Sequence, residues 1–349
     1  MPASPPPCMA TRELLARHTT IGLGGRARWF ARCTSAEEIR ASLEFARLSK
    51  LPVQVLAGGS NIIFSDEGFE GVVLHVGLGG YRADENSTGA MLSVGAGEPW
   101  DEVVRRAVAH GWSGIECLSG IPGSAGGTPV QNVGAYGQEV AETITSVSAI
   151  DRTTLRDAEF TREECGFAYR ESRFKGADAD RFVITEVRFQ LAKSPPVEIR
   201  YPELARELDE RAAGRTPARV REAVIALRKK KAMVVDPSDP NTRSVGSFFM
   251  NPVVGQEFYD TRLKSLALPV YPAPGGVKLS AAWLVEHAGF PKGTRRGGAA
   301  ISERHALAIV NRGGSTAEVL ALAAEIERRV EELFGVRLRR EPVIVPDVP

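Results

Sequence analysis

Three observations predict an α+β protein. Apolar runs of strand length alternate with short amphipathic helices through the first half, and glycine-rich turns separate them. The second half carries the strongest helical stripe, Glu318–Phe334, followed by a terminal apolar run. The 349 residues, 43% hydrophobic and 25% charged, suit a globular chain of two or three domains.

In chain order, Met1–Pro7 has neither a basic head nor an apolar segment, so no secretory signal is expected there. Residues 1–17 are expected to be a disordered tail. Ala27–Arg32 looks extended. Ser35-Ala-Glu-Glu38 is a capping box opening a helix to Leu48. Pro52–Leu56, Gly71–Val76 and Leu92–Val94 are strand candidates. Pro99–His110 has helical periodicity and stops at Gly111. Val147–Ile150 and Phe182–Leu191 are strand-like. Ala205–Arg219 is charged and poor in apolar residues, so a domain boundary is placed near it. Thr216-Pro217 starts a helix running to Lys231, with proline at the first helical position. Val277–Ala288 is expected to be a helix ending at Gly289. In Glu318–Phe334, the residues Val319, Leu320, Leu322, Ile326, Val330 and Leu333 share one stripe, and Gly335 ends it. Val336–Val345 reads as a strand.

A net charge of +1 implies no general attraction to nucleic acid or to a membrane surface. No apolar run approaches the ~20 residues of a membrane span. Cys8, Cys33, Cys117 and Cys165 are scattered and read as free thiols of a reducing cytosol. The five histidines also lack ligand spacing, so no metal is expected.

The most informative stretch is Gly120–Gly137. Its glycines and prolines rule out a regular helix. Bare backbone N–H groups there suit a wall for a bulky, phosphate-bearing ligand. A solvated surface loop is the alternative, but Val130, Val133 and Tyr136 punctuate the run. Gly58-Gly59-Ser60-Asn61 follows an apolar strand and suits either a diphosphate-facing turn or a plain hairpin. Gly95-Ala-Gly97 is equally ambiguous alone. Gly22-Leu-Gly-Gly-Arg-Ala27 matches a dinucleotide pattern in the wrong context, with no strand before it and no helix after it. Arg170 beside Tyr169 suits a carboxylate or an oxyanion, or a surface stack. Ser247 has no adjacent base, so it fits a proton donor better than a nucleophile, and a buried structural serine is its alternative. Arg228–Lys231 closes a helix with positive charge.

The order of these motifs says more than any one of them. Gly24-Gly25-Arg-Ala27 comes first, then Ala57-Gly-Gly-Ser-Asn-Ile-Ile-Phe64, Val94-Gly-Ala-Gly97 and Ile121–Gly137. Phe167-Ala-Tyr-Arg-Glu-Ser-Arg-Phe174, Gly246-Ser-Phe-Phe-Met-Asn-Pro252 and Gly297-Gly-Ala-Ala-Ile-Ser302 follow. From Thr19 to Val345 the chain resembles the UDP-N-acetylenolpyruvoylglucosamine reductase family, in its longer form with a tyrosine-bearing loop.

That resemblance implies a two-subdomain FAD-binding fold of the vanillyl-alcohol oxidase type over residues 18–222, with its internal boundary near 80–90. It implies a smaller α+β substrate-binding domain over 223–335, and a C-terminal strand, 336–349, returning to the active-site cleft. It implies non-covalent FAD held by Gly58, Gly59, Ser60, Asn61, Gly97, Ile121, Pro122, Gly123, Ser124, Gly127, Gly134 and Tyr169. NADPH is the implied co-substrate, and an enolpyruvyl ether of UDP-N-acetylglucosamine the implied substrate. The catalytic trio maps onto Arg170, Ser247 and Glu341. Relatives commonly carry Leu-Glu-x-Glu where this chain has Leu338-Arg-Arg-Glu341, so only the second acid is kept. Tyr136, Tyr201, Arg228, Lys231 and Asn251 match substrate positions. A cytoplasmic monomer is expected. The alternatives are another FAD-dependent oxidase of the same superfamily, or a non-catalytic flavin- or nucleotide-sugar-binding protein.

Overall fold

A computed structural model describes residues 4–193, 197–209 and 215–346. The chain forms two compact units. The first comprises residues 1–13, 27–59 and 70–230, and the second 14–26, 60–69 and 231–349. Residues 18–26 and 60–69, expected within the cofactor domain, and 14–17, expected in the tail, fall in the second unit.

The first unit contains two sheets. The smaller has the strand order Met9–Thr11, Ala27–Cys33, Phe69–Val76, Val53–Leu56. Val53–Leu56 runs parallel to Val72–His75. The larger is ordered Asp157–Thr161, Ile144–Asp151, Phe182–Ala192, Gly89–Gly95, Tyr81–Glu85, with every neighbouring pair antiparallel. Helices α1 (Ala36–Leu48) and α2 (Trp100–Ala109) contribute buried side chains to the same core. Ser35 and Glu38 make the expected reciprocal cap. Trp100 and Phe189 are fully buried in this core, each burying enough apolar surface to contribute roughly 2–3 kcal/mol.

A second apolar cluster in this unit lies on α3 (Pro202–Asp209) and α4 (Pro217–Lys230). It joins Leu204, Leu208, Val220, Val224 and Leu227 with Cys117. The charged stretch expected to be a boundary therefore begins with a helix. Leu204 and Leu208, four residues apart, are all the stripe that a two-turn helix needs. Lys230 Nζ ties α4 to Glu207 of α3 at 2.9 Å.

The tail expectation is also corrected. Met9–Thr11 is a strand paired with Trp29–Ala31, and Leu15 is fully buried. An edge strand needs few apolar residues when its backbone hydrogen bonds are supplied by a neighbour.

The second unit has a core of Phe248, Phe249, Leu284, Ile301, Ile309, Val319, Leu322, Ile326 and Val330, among others. Its small sheets are ordered Val253–Val254, Gly276–Leu279, Val270–Ala273 and Arg295–Arg296, Ala299–Ile301, Ile309–Asn311. Ile62–Phe64 pairs in parallel with Val343–Val345. Val277–Leu279 is a strand rather than the start of a helix. Ser280 ends it and caps the helix Ala281–His287, its Oγ accepting the Trp283 N–H. The C-terminal strand is shorter than expected, since only Val343–Val345 is regular. The helix Thr316–Phe334 ends at Gly335 with φ +66°. Its buried face stops at Val330, and Leu333 is exposed.

Candidate active site

In the first unit the glycine-rich stretch is packed rather than floppy. A Cβ on Gly58 would lie 2.5 Å from Gly123 Cα, and one on Gly126 would lie 2.5 Å from Ala96 Cβ. Only glycine allows the Gly58 turn and the Gly123 bend to meet backbone to backbone. Ser124 Oγ is buried there without a hydrogen-bond partner, and a buried hydroxyl left so is costly unless a ligand satisfies it. Flavin with its diphosphate supplies acceptors of that kind, and the loop has the bare backbone to lie against it. The stretch therefore fits the cofactor. Ile121 packs on the core. Gly97 has a packing reason of its own, because its Cβ would lie 2.5 Å from Gly77 C.

The end of the loop folds into a two-residue hairpin. Gly134–Ala135 pairs with Gln138–Glu139, and Tyr136 and Gly137 at the tip have φ +51° and +81°. Both central residues of such a turn must be left-handed, a costly state for tyrosine. The Tyr136 ring meets Tyr201 edge-on at 5.4 Å. Burial pushes the Tyr136 hydroxyl up to about 12, against the opposing field of Arg228. Burial in turn lowers the pKa of Arg228, while Tyr136 and Asp101 raise it. The structure thus brings together three of the expected substrate residues, Tyr136, Tyr201 and Arg228. The segment before Tyr201 begins with Ser194–Pro196, which lie outside the described residues.

Arg170 sits in a second tight turn. Ala168 and Glu171 exchange backbone hydrogen bonds at 3.0 and 3.1 Å, and Arg170 has φ +57°. Its guanidinium lies over Tyr169, 5.3 Å from the ring centre. Arg170 Nη2 donates to Gly134 O at 2.7 Å, and Nη1 to Asn132 O at 3.4 Å. Lys175 Nζ donates to the Arg170 carbonyl at 3.0 Å. Gly134 therefore borders Arg170. A side chain at Gly134 would meet Arg170 Nη1 at 3.1 Å and Glu139 Cγ at 2.8 Å.

One residue that sequence reading passed over is central here. Asn132 is 1% exposed with φ +44°. Its Nδ2 donates to Glu139 Oε2 at 2.7 Å and to Ala168 O at 3.0 Å, and its Oδ1 accepts from Ala141 N at 3.1 Å. The available signal was an asparagine amid glycines, since asparagine is enriched at left-handed positions.

In the second unit, Ser247 and Glu341 are brought onto adjoining backbone segments. The Glu341 N–H donates to Phe248 O at 2.9 Å, and the Met250 N–H to Arg339 O at 3.0 Å. Phe248 and Phe249 bury both rings next to Ser247, while Ser247 and Glu341 are half-buried. Asn61, expected near the cofactor diphosphate, donates from Nδ2 to the Glu341 carbonyl at 3.2 Å, and its own carbonyl accepts the Val343 N–H at 3.0 Å. Asn251 Oδ1 accepts the Ala281 N–H at 2.9 Å, so it anchors a helix start. Lys231 opens the second unit, while Arg228 belongs to the first.

Known proteins resemble this chain over most of its length. Residues 27–154 match an FAD binding domain. Residues 237–345 match the C-terminal domain of UDP-N-acetylenolpyruvoylglucosamine reductase. The reductase of that name from Thermobifida fusca is 46% identical over 344 residues, covering 95% of this chain and 96% of that one. Its counterpart from Salinispora arenicola is 48% identical, covering 95% and 94%. The crystal structure of UDP-N-acetylenolpyruvylglucosamine reductase from Thermus caldophilus superposes with a TM-score of 0.66 at 29% identity, over 97% of this chain and all of that one. The α+β FAD-binding fold and the flavin chemistry read from the motifs are therefore those of an FAD-dependent oxidoreductase, and the chain belongs to the UDP-N-acetylenolpyruvoylglucosamine reductase family.

Proposed function

We propose that the protein reduces the enolpyruvyl ether of UDP-N-acetylglucosamine to UDP-N-acetylmuramate, a precursor of peptidoglycan, with NADPH as reductant. FAD, when bound, would be held by the Gly58–Asn61 turn and the Ile121–Gly127 loop and would supply a two-electron carrier between the two substrates. The protein's own task is to manage charge and a proton on the enolpyruvyl group. Adding a hydride at its terminal carbon drives electron density onto the carbon beside the carboxylate. That enolate needs a cation, a hydrogen-bond donor and a proton source. Arg170 supplies the cation. Glu341, when protonated, donates to the same carboxylate. The Ser247 hydroxyl delivers its proton to the carbon, which completes the lactyl ether. Tyr136, Tyr201, Arg228 and Lys231 are assigned to the UDP moiety, with Asn251 contributing through its Nδ2.

The observation that carries this reading is the adjoining of the Ser247 and Glu341 segments. Two residue types needed for one proton transfer, 94 positions apart in sequence, share one pair of backbone segments. Among the described residues no helix is long and apolar enough to cross a membrane, in keeping with a small-molecule enzyme. We further propose that it acts as a monomer in the cytoplasm.

The direct test is anaerobic. NADPH should bleach the yellow holoprotein, and adding the enolpyruvyl substrate should restore the oxidised flavin spectrum stoichiometrically. A flavin that stays reduced after that addition, yet reoxidises with oxygen, would point to an oxidase instead.

A further inference from the structure

We infer that Asn132 is the positioning residue that holds Arg170 in its reactive orientation. The inference deepens the assignment of Arg170 above and rests on it.

The turn that carries Arg170 is intrinsically unfavourable. A non-glycine residue at φ +57° is disfavoured unless its surroundings hold it there. A two-residue turn can relax by flipping its central peptide or by opening its closing hydrogen bonds, and either change would swing the guanidinium away. What opposes this is local and identifiable. Asn132 Nδ2 binds the carbonyl of Ala168, the first residue of the turn, at 3.0 Å. The backbone carbonyl of Asn132 accepts from Arg170 Nη1 at 3.4 Å. Asn132 therefore grips both the base of the turn and the end of the side chain the turn presents.

Its amide orientation is fixed from all sides. One Nδ2 proton goes to Ala168 O and the other to Glu139 Oε2, while Oδ1 takes the Ala141 N–H. A flipped amide would set Oδ1 against a carboxylate and a carbonyl. Aspartate would do the same with a full charge. Asn132 is also at φ +44°, where asparagine is among the few tolerated residues. Backbone and side chain thus call for the same residue, and glycine meets only the first demand.

That last point supplies the test. Asn132→Gly keeps the left-handed backbone and the carbonyl that meets Arg170 Nη1, and removes the side-chain grip on Ala168. In holoenzyme whose flavin has been reduced anaerobically with dithionite, reoxidation by the enolpyruvyl substrate should slow by about 10- to 100-fold. The dissociation constant of the substrate, read from its perturbation of the oxidised flavin spectrum, should move far less. In an Arg170→Ala background, Asn132→Gly should add almost nothing, because the group it positions is gone. Asn132→Asp should slow reoxidation at least as much as glycine does. Equal slowing in both backgrounds, an unchanged rate in Asn132→Gly, or loss of bound flavin in both Asn132 variants would each overturn the inference. An Arg170→Ala enzyme that reoxidises at the normal rate would instead remove the assignment of Arg170 itself.

Discussion

The Arg170 turn in the first unit and the Ser247–Glu341 segments in the second hold their functional groups by opposite means. Arg170 occupies a left-handed turn fixed largely by side chains: Asn132 at its base, Lys175 at its carbonyl, and Ser172 just beyond it. Ser247 and Glu341 are placed by main-chain hydrogen bonds and by two buried phenylalanines. The first arrangement is precise but depends on individual residues. The second tolerates most side-chain changes, because a backbone ladder is indifferent to what it carries. Arg339, at the position expected to hold another acid, fits this view: its carbonyl accepts the Met250 N–H within the ladder, and its neighbour Arg340 pairs with Glu327.

If the comparison holds, chemistry should be lost most steeply where a side chain acts directly. Ser247→Ala leaves the ladder intact and removes the proton donor. Reoxidation of the reduced flavin by substrate should fall about 10²–10⁴-fold, while reduction by NADPH stays near normal. Equal loss of both half-reactions, with flavin content unchanged, would refute the donor role. Arg170→Lys should cost about 10²–10³-fold in the same step, since one ammonium cannot reproduce the fork that reaches Gly134 O and Asn132 O. Recovery of most activity with lysine would show that charge alone matters, and that the elaborate turn does not.

The supporting side chains should show their effect in stability. Ser172 Oγ donates to Val130 O at 2.6 Å and accepts the Phe174 N–H at 3.1 Å. Ser172→Ala leaves both without that partner and should cost about 1–3 kcal/mol, read from chemical denaturation. Asp101 makes a comparable tie, accepting from Gly120 N at 2.5 Å and from Arg221 Nη1 and Nη2 at 2.5 and 2.8 Å. Burial pushes its carboxyl up, but these hydrogen bonds outweigh it and hold it below its ordinary 3.8. A depressed folded value means stability that is present above the unfolded pKa and lost as pH falls through the folded one. Asp101→Asn should therefore destabilise at pH 7 by about 1–2 kcal/mol, with the gap closing below about pH 4. A gap independent of pH would show that the carboxylate charge contributes nothing.

The same division between local and distant causes explains what could be read from sequence. The Ser35 capping box, the Pro217 start and the Gly335 stop are local signals, and each helix formed as expected. The α3 helix was hidden because its apolar pair, Leu204 and Leu208, lies among charges. Val277–Leu279 carries apolar residues that run on into a true helix, so strand and helix were merged until Ser280 separated them. Of the residues proposed to act on the substrate, Arg170, Ser247 and Glu341 come from the family motifs. Asn132 was not, because its importance depends on Ala168, 36 residues away, and no local pattern records that contact. Asn61 likewise reads as part of a glycine turn, yet reaches Glu341 across 280 residues.

The smallest expected effect tests the sturdier half. Arg340 donates from Nε and Nη2 to the two carboxylate oxygens of Glu327 at 2.7 and 2.8 Å, and both side chains are about a quarter exposed. Such a bidentate pair exceeds an ordinary surface bridge in geometry, but water still screens it. Glu327→Gln should therefore lower stability by about 1 kcal/mol or less. It should leave both half-reactions near normal, since the Glu341 N–H is fixed to Phe248 O and not to Arg340. The informative reading is the ratio of effects. If Glu327→Gln slowed substrate-driven reoxidation as much as Asn132→Gly does, Glu341 would depend on a side-chain brace just as Arg170 does. The contrast between a side-chain-built turn and a backbone-built ladder would then fail.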